Sequence, residues 1–415
     1  MSNNSCGIDF GTTNSLIAVC DHDGSSLIKI DDDNTILPTA VFYSKENRLF
    51  GYNAIDSYIN GEDGRLLRSF KRILGTDLME TGTLINNRTV PFRSVIASFL
   101  KEIKTRAENQ LNKELTSVVL GRPVHYQNNN PAADNRAEEE MRIIAESVGF
   151  KDIVFQYEPI AAAFAHEQTL RSNKIALVAD LGGGTSDFTI IKLGPSHLNN
   201  NNRKDDILST SGIRIGGNDF DRDLTVYSFM PQFGRGTHYG PKHLRVPEFL
   251  FLGLAEWSRI NFMYIPKNIH IVQEILQTAD EPLLIENLLE LLEMQQAHHL
   301  LQVSESCKIN LTQHDSVKSN FDGISKNLSF EISRKSFDSF VQQECDAIIK
   351  TIKDCLQSAQ IKPDQIDMLI LTGGTSKIPL VQSNIRTLFP NAFISDNQRM
   401  ESVALGLAHM ANKIF

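Results

Sequence analysis

Asp180 to Asp187 reads DLGGGTSD, and no other stretch of the chain is better suited to hold a charged ligand. Gly182, Gly183 and Gly184 can present successive backbone N–H groups to an anion. Thr185 adds a hydroxyl, and Asp180 and Asp187 supply hard oxygens of the kind that suits Mg²⁺. The guest that fits this chemistry is a nucleoside triphosphate with its metal. The same glycines also suit a tight hairpin on steric grounds, and in isolation that reading is favoured. A second stretch changes the balance. Asp9-Phe10-Gly11-Thr12-Thr13-Asn14 repeats the aspartate, the one-residue spacer, the glycine and the hydroxyls ahead of an apolar run. Two such loops suggest two similar lobes with a ligand cleft between them.

Both loops need hairpins to carry them. Leu177 to Asp180 and Phe188 to Ile191 are apolar and β-rich on either side of the glycines, and Gly7 to Val19 has the same form. The pair resembles the phosphate-1 and phosphate-2 loops of the superfamily containing actin, sugar kinases and DnaK-type chaperone ATPases. Other segments narrow the resemblance to the heat-shock protein 70, or DnaK-type, family. By composition alone Lys71 and Arg72 would be the exposed face of a helix. SFKRILG, residues 69–75, nevertheless resembles the family segment that carries a catalytic lysine, at Lys71.

EPIAAAFA, residues 158–165, resembles the family's first connecting segment. The likeness implies that Glu158 orients the attacking water. Ala161, Ala162 and Ala163 would allow a close helix crossing, or equally a tight core. IRIGGNDFDRDL resembles a segment of the second lobe, in which Gly216 and Gly217 would approach the nucleoside. VSESCKINL is similar to the family helix that holds the adenosine: Glu305 and Lys308 match, and Ile309 stands where the family has arginine. DMLILTGGTSKIP resembles the adenosine loop, with Gly373, Gly374, Thr375 and Ser376, and with Lys377 replacing a stacking arginine. A planar guanidinium stacks on a base better than an ammonium group does. ESVALGLAHMANKI resembles the second connecting segment, preceded by Met400 where the family often has an acid.

The resemblance implies an α/β protein of the actin-like ATPase fold: two lobes of duplicated ribonuclease-H-like mixed sheets with inserted subdomains. The expected boundaries are 1–37, 116–171 and 397–415 for the first core, with 38–115 inserted in it. The second core would take 172–211 and 336–396, with 212–335 inserted. The implied cofactors are ATP or ADP and Mg²⁺. Asp9 and Asp180 would hold the metal mainly through water, while Gly11, Thr12, Thr13, Asn14, Gly182, Gly183, Gly184 and Thr185 cradle the phosphates. Lys71, Glu158, Asp180, Thr185 and Asp187 would carry catalysis. The implied function is slow ATP hydrolysis that sets the angle between the lobes. Because the sequence ends at Phe415, the likeness is to short forms without a peptide-binding domain, acting through a separate partner, exchange factor or client. The alternatives are a nucleotide-binding pseudoenzyme, a small-molecule kinase and an actin-like polymer.

Pattern alone predicts helices over 95–115 and 135–148, the latter with Glu138, Glu139 and Glu140 at its positive end. It predicts strands over 27–30 and 117–123, a solvated acidic loop at Asp31, Asp32 and Asp33, and a polar loop over 194–206. Leu284, Leu288, Leu291 and Leu292 share one helical face, which reads as core. His298 and His299 are adjacent and would point apart, a poor metal pair.

Composition bounds the rest. With 415 residues, 41% of them hydrophobic and 22% charged, the chain has the make-up of a globular protein of two to four compact units. A net charge of −9 disfavours nucleic acid and acidic membranes as partners. The five cysteines show no CxxC spacing and read as reduced thiols. No apolar leader or spanning run is present, so the expected location is the cytoplasm.

Overall fold

A computed structural model describes residues 4–21, 24–86, 88–127, 130–167, 170–197, 204–395 and 401–415. Most of the predicted polar loop over 194–206, and Met400, lie outside these residues. The chain divides into two compact units, one of Met1–Gly216, Ala347–Lys377 and Val381–Phe415, the other of Gly217–Asp346 and Ile378–Leu380.

Two mixed sheets form the frame of the first unit. Strands β1 (Ser5–Phe10), β2 (Asn14–Asp21), β3 (Gly24–Leu27), β4 (Leu37–Pro38), β5 (Ser117–Arg122) and β6 (Asp152–Tyr157) make one. Its order is β6-β5-β1-β2-β3, with β4 paired to β2. Strands β7 (Lys174–Leu181), β8 (Ser186–Leu193), β9 (Ile207–Ile213), β10 (Met368–Thr372) and β11 (Phe393–Ser395) make the other, in the order β9-β8-β7-β10-β11. The pairing is the same in both. The first three strands of each sheet are antiparallel neighbours, and the next two add in parallel on the far side of the first. The fold is therefore the expected duplicated α/β architecture, and each predicted loop is the tip of the first hairpin of its sheet.

Parallel neighbours need crossover connections, and helices supply them, Pro131–Ser147 between β5 and β6 and Pro379–Leu388 between β10 and β11. Two further helices, Glu158–Glu167 after β6 and Ser402–Ile414, pack together. They cross where Gly406 lies on Ala161, so close that a Cβ on Gly406 would overlap the Ala161 carbonyl. Ala161, Ala162, Ala163, Leu407 and Ala411 are wholly or almost wholly buried there with Val119 and Val178, which join the two sheets in one core. The close crossing and the tight core are thus one feature. Gly406→Val is expected to cost about 1–3 kcal/mol or more by overpacking, measurable as a lower urea midpoint; an unchanged midpoint would contradict this packing.

Several local expectations shift. The helix predicted over 135–148 runs from Pro131 to Ser147, because Asn130 caps it by accepting the Ala133 N–H and proline fits its first turn. Glu138 and Glu140 therefore sit two turns in and pair with Arg122 and Arg93 instead of with the helix end. The helix predicted over 95–115 is Phe92–Leu111, ended by left-handed Asn112. Residues 28–30 are not strand, and Asp31 is buried rather than solvated. Its carboxylate takes the Arg106 guanidinium at 2.8 Å and the Tyr52 N–H at 3.3 Å.

In the second unit, helix Pro282–Glu293 buries Leu288, Leu291 and Leu292, as the periodicity predicts. Trp257 and His298 are buried in this unit as well, with ring centroids 6.0 Å apart.

Candidate active site

The glycine tips meet. A Cβ placed on Gly184 would lie 2.6 Å from the Thr12 hydroxyl oxygen and 3.0 Å from its methyl, so only glycine lets the second loop approach the first this closely. The Gly182 N–H closes the second tip by donating to the Thr185 carbonyl at 2.9 Å. Gly216 and Gly373 both lie against the backbone of this tip, and the Thr375 hydroxyl donates to the Gly182 carbonyl at 2.8 Å. Gly11, Thr13, Asn14, Gly182, Gly183 and Thr185 remain partly open to solvent.

Lys71 is not on an exposed helical face. Strand Gly64–Arg68 runs into a single 3₁₀ turn, Phe70–Ile73, entered through Ser69 in a left-handed conformation (φ 56°). This turns Lys71 inward, leaving it 7% exposed, with its ammonium 2.8 Å from Glu158 Oε1. Glu158, 6% exposed, opens the helix after β6 and so delivers its carboxylate to the same place. Burial disfavours the lysine charge, but Glu158, Tyr126 and Asp9 outweigh it and hold the pKa above the ordinary lysine value.

Three aspartates share this environment. Burial and then the charge of Glu158 push Asp9 and Asp187 up to about 7, and push Asp180 well above the carboxylate range, with Asp9 and Asp187 adding to the last. Asp187, 1% exposed, accepts the Val124 N–H at 2.7 Å through Oδ1, while its buried Oδ2 has no hydrogen-bond partner. Four acidic side chains thus interact electrostatically with one ammonium group, which touches Glu158. A hard divalent cation fits that imbalance and that donor set. Among the described residues no three His, Cys, Asp or Glu side chains gather closely enough to hold a metal alone. Such an ion would therefore need water or phosphate oxygens to complete its shell.

A family model described as Hsp70 protein matches residues 5–95, 85–239 and 275–414. The chain belongs to the Hsp70 family. It is 26% identical over 435 residues to the chaperone protein HscA of Buchnera aphidicola, covering 99% of this chain and 70% of that protein. It is 28% identical over 416 residues to the chaperone protein DnaK of Thermosipho melanesiensis, covering 98% of this chain and 58% of that one. A third relative, the HscA homolog of Rickettsia akari, is 26% identical over 430 residues, with 98% and 56% covered. The chain thus spans little more than half the length of most of these Hsp70 relatives.

The residues expected at the nucleoside separate into two groups. Gly216, Gly373, Gly374, Thr375 and Lys377 belong to the first unit, where Gly374 and Lys377 are exposed. Gly217, Glu305 and Lys308 belong to the second. There Lys308 pairs with buried Asp221 at 2.7 Å and donates to the Gly217 carbonyl at 3.2 Å, so its ammonium already has protein partners. Ile309, at the arginine position, is 58% exposed.

One residue escaped the sequence reading. Thr39 lies just past β4 and is buried; its hydroxyl donates to the Gly11 carbonyl at 2.8 Å and its N–H to the Thr13 carbonyl at 2.7 Å. Nothing in LPTAVF marks it, because the pairing of β4 with β2 that carries it to the loop is a tertiary fact.

Proposed function

We propose that this Hsp70-family chain binds ATP with Mg²⁺, hydrolyses it slowly, and uses its nucleotide state to set the angle between two lobes while acting on a separate protein partner. The observation that carries this reading is the contact of Thr12 with Gly184 beside the Lys71–Glu158 pair: two glycine-tipped loops and one buried ammonium face one place. HscA and DnaK relatives, named as chaperones, support the chaperone-related class.

Bound Mg²⁺ would supply charge neutralisation on the phosphate oxygens and a fixed geometry for them. Thr12, Thr13, Gly183, Gly184 and Thr185 would cradle the β and γ phosphates through backbone N–H groups and hydroxyls, and Asp9 and Asp180 would hold the waters of the metal. Lys71, fixed by Glu158, would bind the γ phosphate. Asp187 would take a proton from the attacking water at Oδ2, the oxygen left without a partner, at a pKa suited to neutral pH. Phosphoryl transfer asks for such positioning and charge rather than for covalent chemistry from the protein.

Calorimetry tests the reading directly. MgATP and MgADP are expected to bind with measurable heat and MgATP to release phosphate slowly; saturating nucleotide that registers no heat would end the proposal. Among the described residues no helix is long and apolar enough to cross a membrane.

A further inference from the structure

The two loops are anchored in the same way. Buried Thr39 gives its hydroxyl to the carbonyl of Gly11 at 2.8 Å, and buried Thr375 gives its hydroxyl to the carbonyl of Gly182, also at 2.8 Å. Gly11 and Gly182 are the first glycines of their loops, each two residues after an aspartate. The anchors come from different parts of the topology: Thr39 follows a short strand paired to β2, and Thr375 follows β10. Ser15 extends the first anchor. Its hydroxyl lies 2.9 Å from that of Thr39, whose proton is committed to Gly11, so Ser15 is the donor.

We infer that Thr39 and Thr375 are matched positioning residues that aim the phosphate-facing amides of the two loops. The physical reason is the planarity of the trans peptide, in which C=O and N–H point to opposite edges. Fixing the Gly11 carbonyl from behind orients the Thr12 N–H forward. Fixing the Gly182 carbonyl orients the Gly183 N–H in the same manner. Glycine carbonyls need such fixing most, because a glycine backbone has the widest choice of conformations to lose. This inference rests on the proposed nucleotide binding and adds to it. It gives Thr39 a role, and it gives Thr375 a task within the protein in place of a contact with the nucleotide through that hydroxyl.

Thr39→Val keeps the shape, and the backbone bond to Thr13 with it, and removes the hydroxyl from Gly11 and Ser15. The test measures, by calorimetry, the affinities of wild type, Thr39→Val, Thr39→Ser and Thr375→Val for MgADP and for adenosine, which has no phosphate. Thr39→Val and Thr375→Val are each expected to weaken MgADP binding roughly tenfold, and Thr39→Val, which lies outside the adenosine loop, to leave adenosine binding unchanged. Thr39→Ser is expected to restore the wild-type value. Thr375→Val keeps the experiment decisive if Thr39→Val does not fold. Wild-type binding of MgADP with no loss in the valine variants overturns the inference and leaves the proposed function standing. An equal loss for adenosine in Thr39→Val also overturns it, since that marks general disruption. No MgADP heat from wild type overturns the proposed function and this inference together.

Discussion

Lys71→Met is expected to lower ATP turnover by about 10²–10³-fold while changing MgATP affinity much less. Methionine fills the same space, so the substitution removes the charge with little change in packing. What is lost is the single ammonium among Asp9, Asp180, Asp187 and Glu158, the group best placed to counter charge that develops on a transferring phosphoryl group. Losing a group that acts mainly in the transition state lowers kcat more than it raises KM. Single-turnover phosphate release with matched calorimetry separates the two quantities. Hydrolysis by Lys71→Met at the wild-type rate would take Lys71 out of the catalytic machinery, and wild-type turnover no faster than uncatalysed hydrolysis would sink the hydrolase reading.

Asp187→Asn is expected to make the nucleotide-free protein more stable at pH 8 and to abolish most of its turnover. The native carboxyl titrates near 7 instead of 3.8 because it is buried beside Glu158. Below about pH 4 it is protonated in both the folded and the unfolded chain, and above about pH 7 it is ionised in both. Between these values the folded chain holds more protons, so the contribution of this group to stability falls as pH rises. A shift of about three units corresponds to about 4 kcal/mol at most, and a gain of about 2–4 kcal/mol is expected for the amide at pH 8. The difference between variant and wild type should shrink to nothing toward pH 4. Parallel denaturation midpoints across this range would show that the carboxyl carries no such strain. The expected trade is a common one, since a site built to receive a cation is unstable while it lacks one.

Much of the candidate site was legible because its parts are short and local. A glycine tip needs only its own residues and two apolar runs to declare itself, and DLGGGTSD and DFGTTN did so. Lys71 was legible only by resemblance. Its composition argued for an exposed helix, and what buries it is a left-handed Ser69 and a carboxylate delivered by a helix far along the chain. Asp31 escaped for a similar reason: three consecutive acids look solvated until a guanidinium from another helix reaches one of them. The start of helix Pro131–Ser147 is written in Asn130-Pro131, a cap and first-turn proline, whereas the glutamate run lies two turns further in.

The order of residues alone determined the two hairpins, their repeated aspartate-spacer-glycine pattern and the small-residue faces at residues 161–163 and Gly406, because these depend on backbone freedom and side-chain size within a few positions. The folded chain alone decided that the tips touch at Thr12 and Gly184, that four carboxyl groups share one lysine, and that Thr39 and Thr375 hold the loops from behind. Those outcomes depend on which distant strands pair and on how far water is excluded between them, and neither distance nor burial is a property of neighbouring residues in a chain.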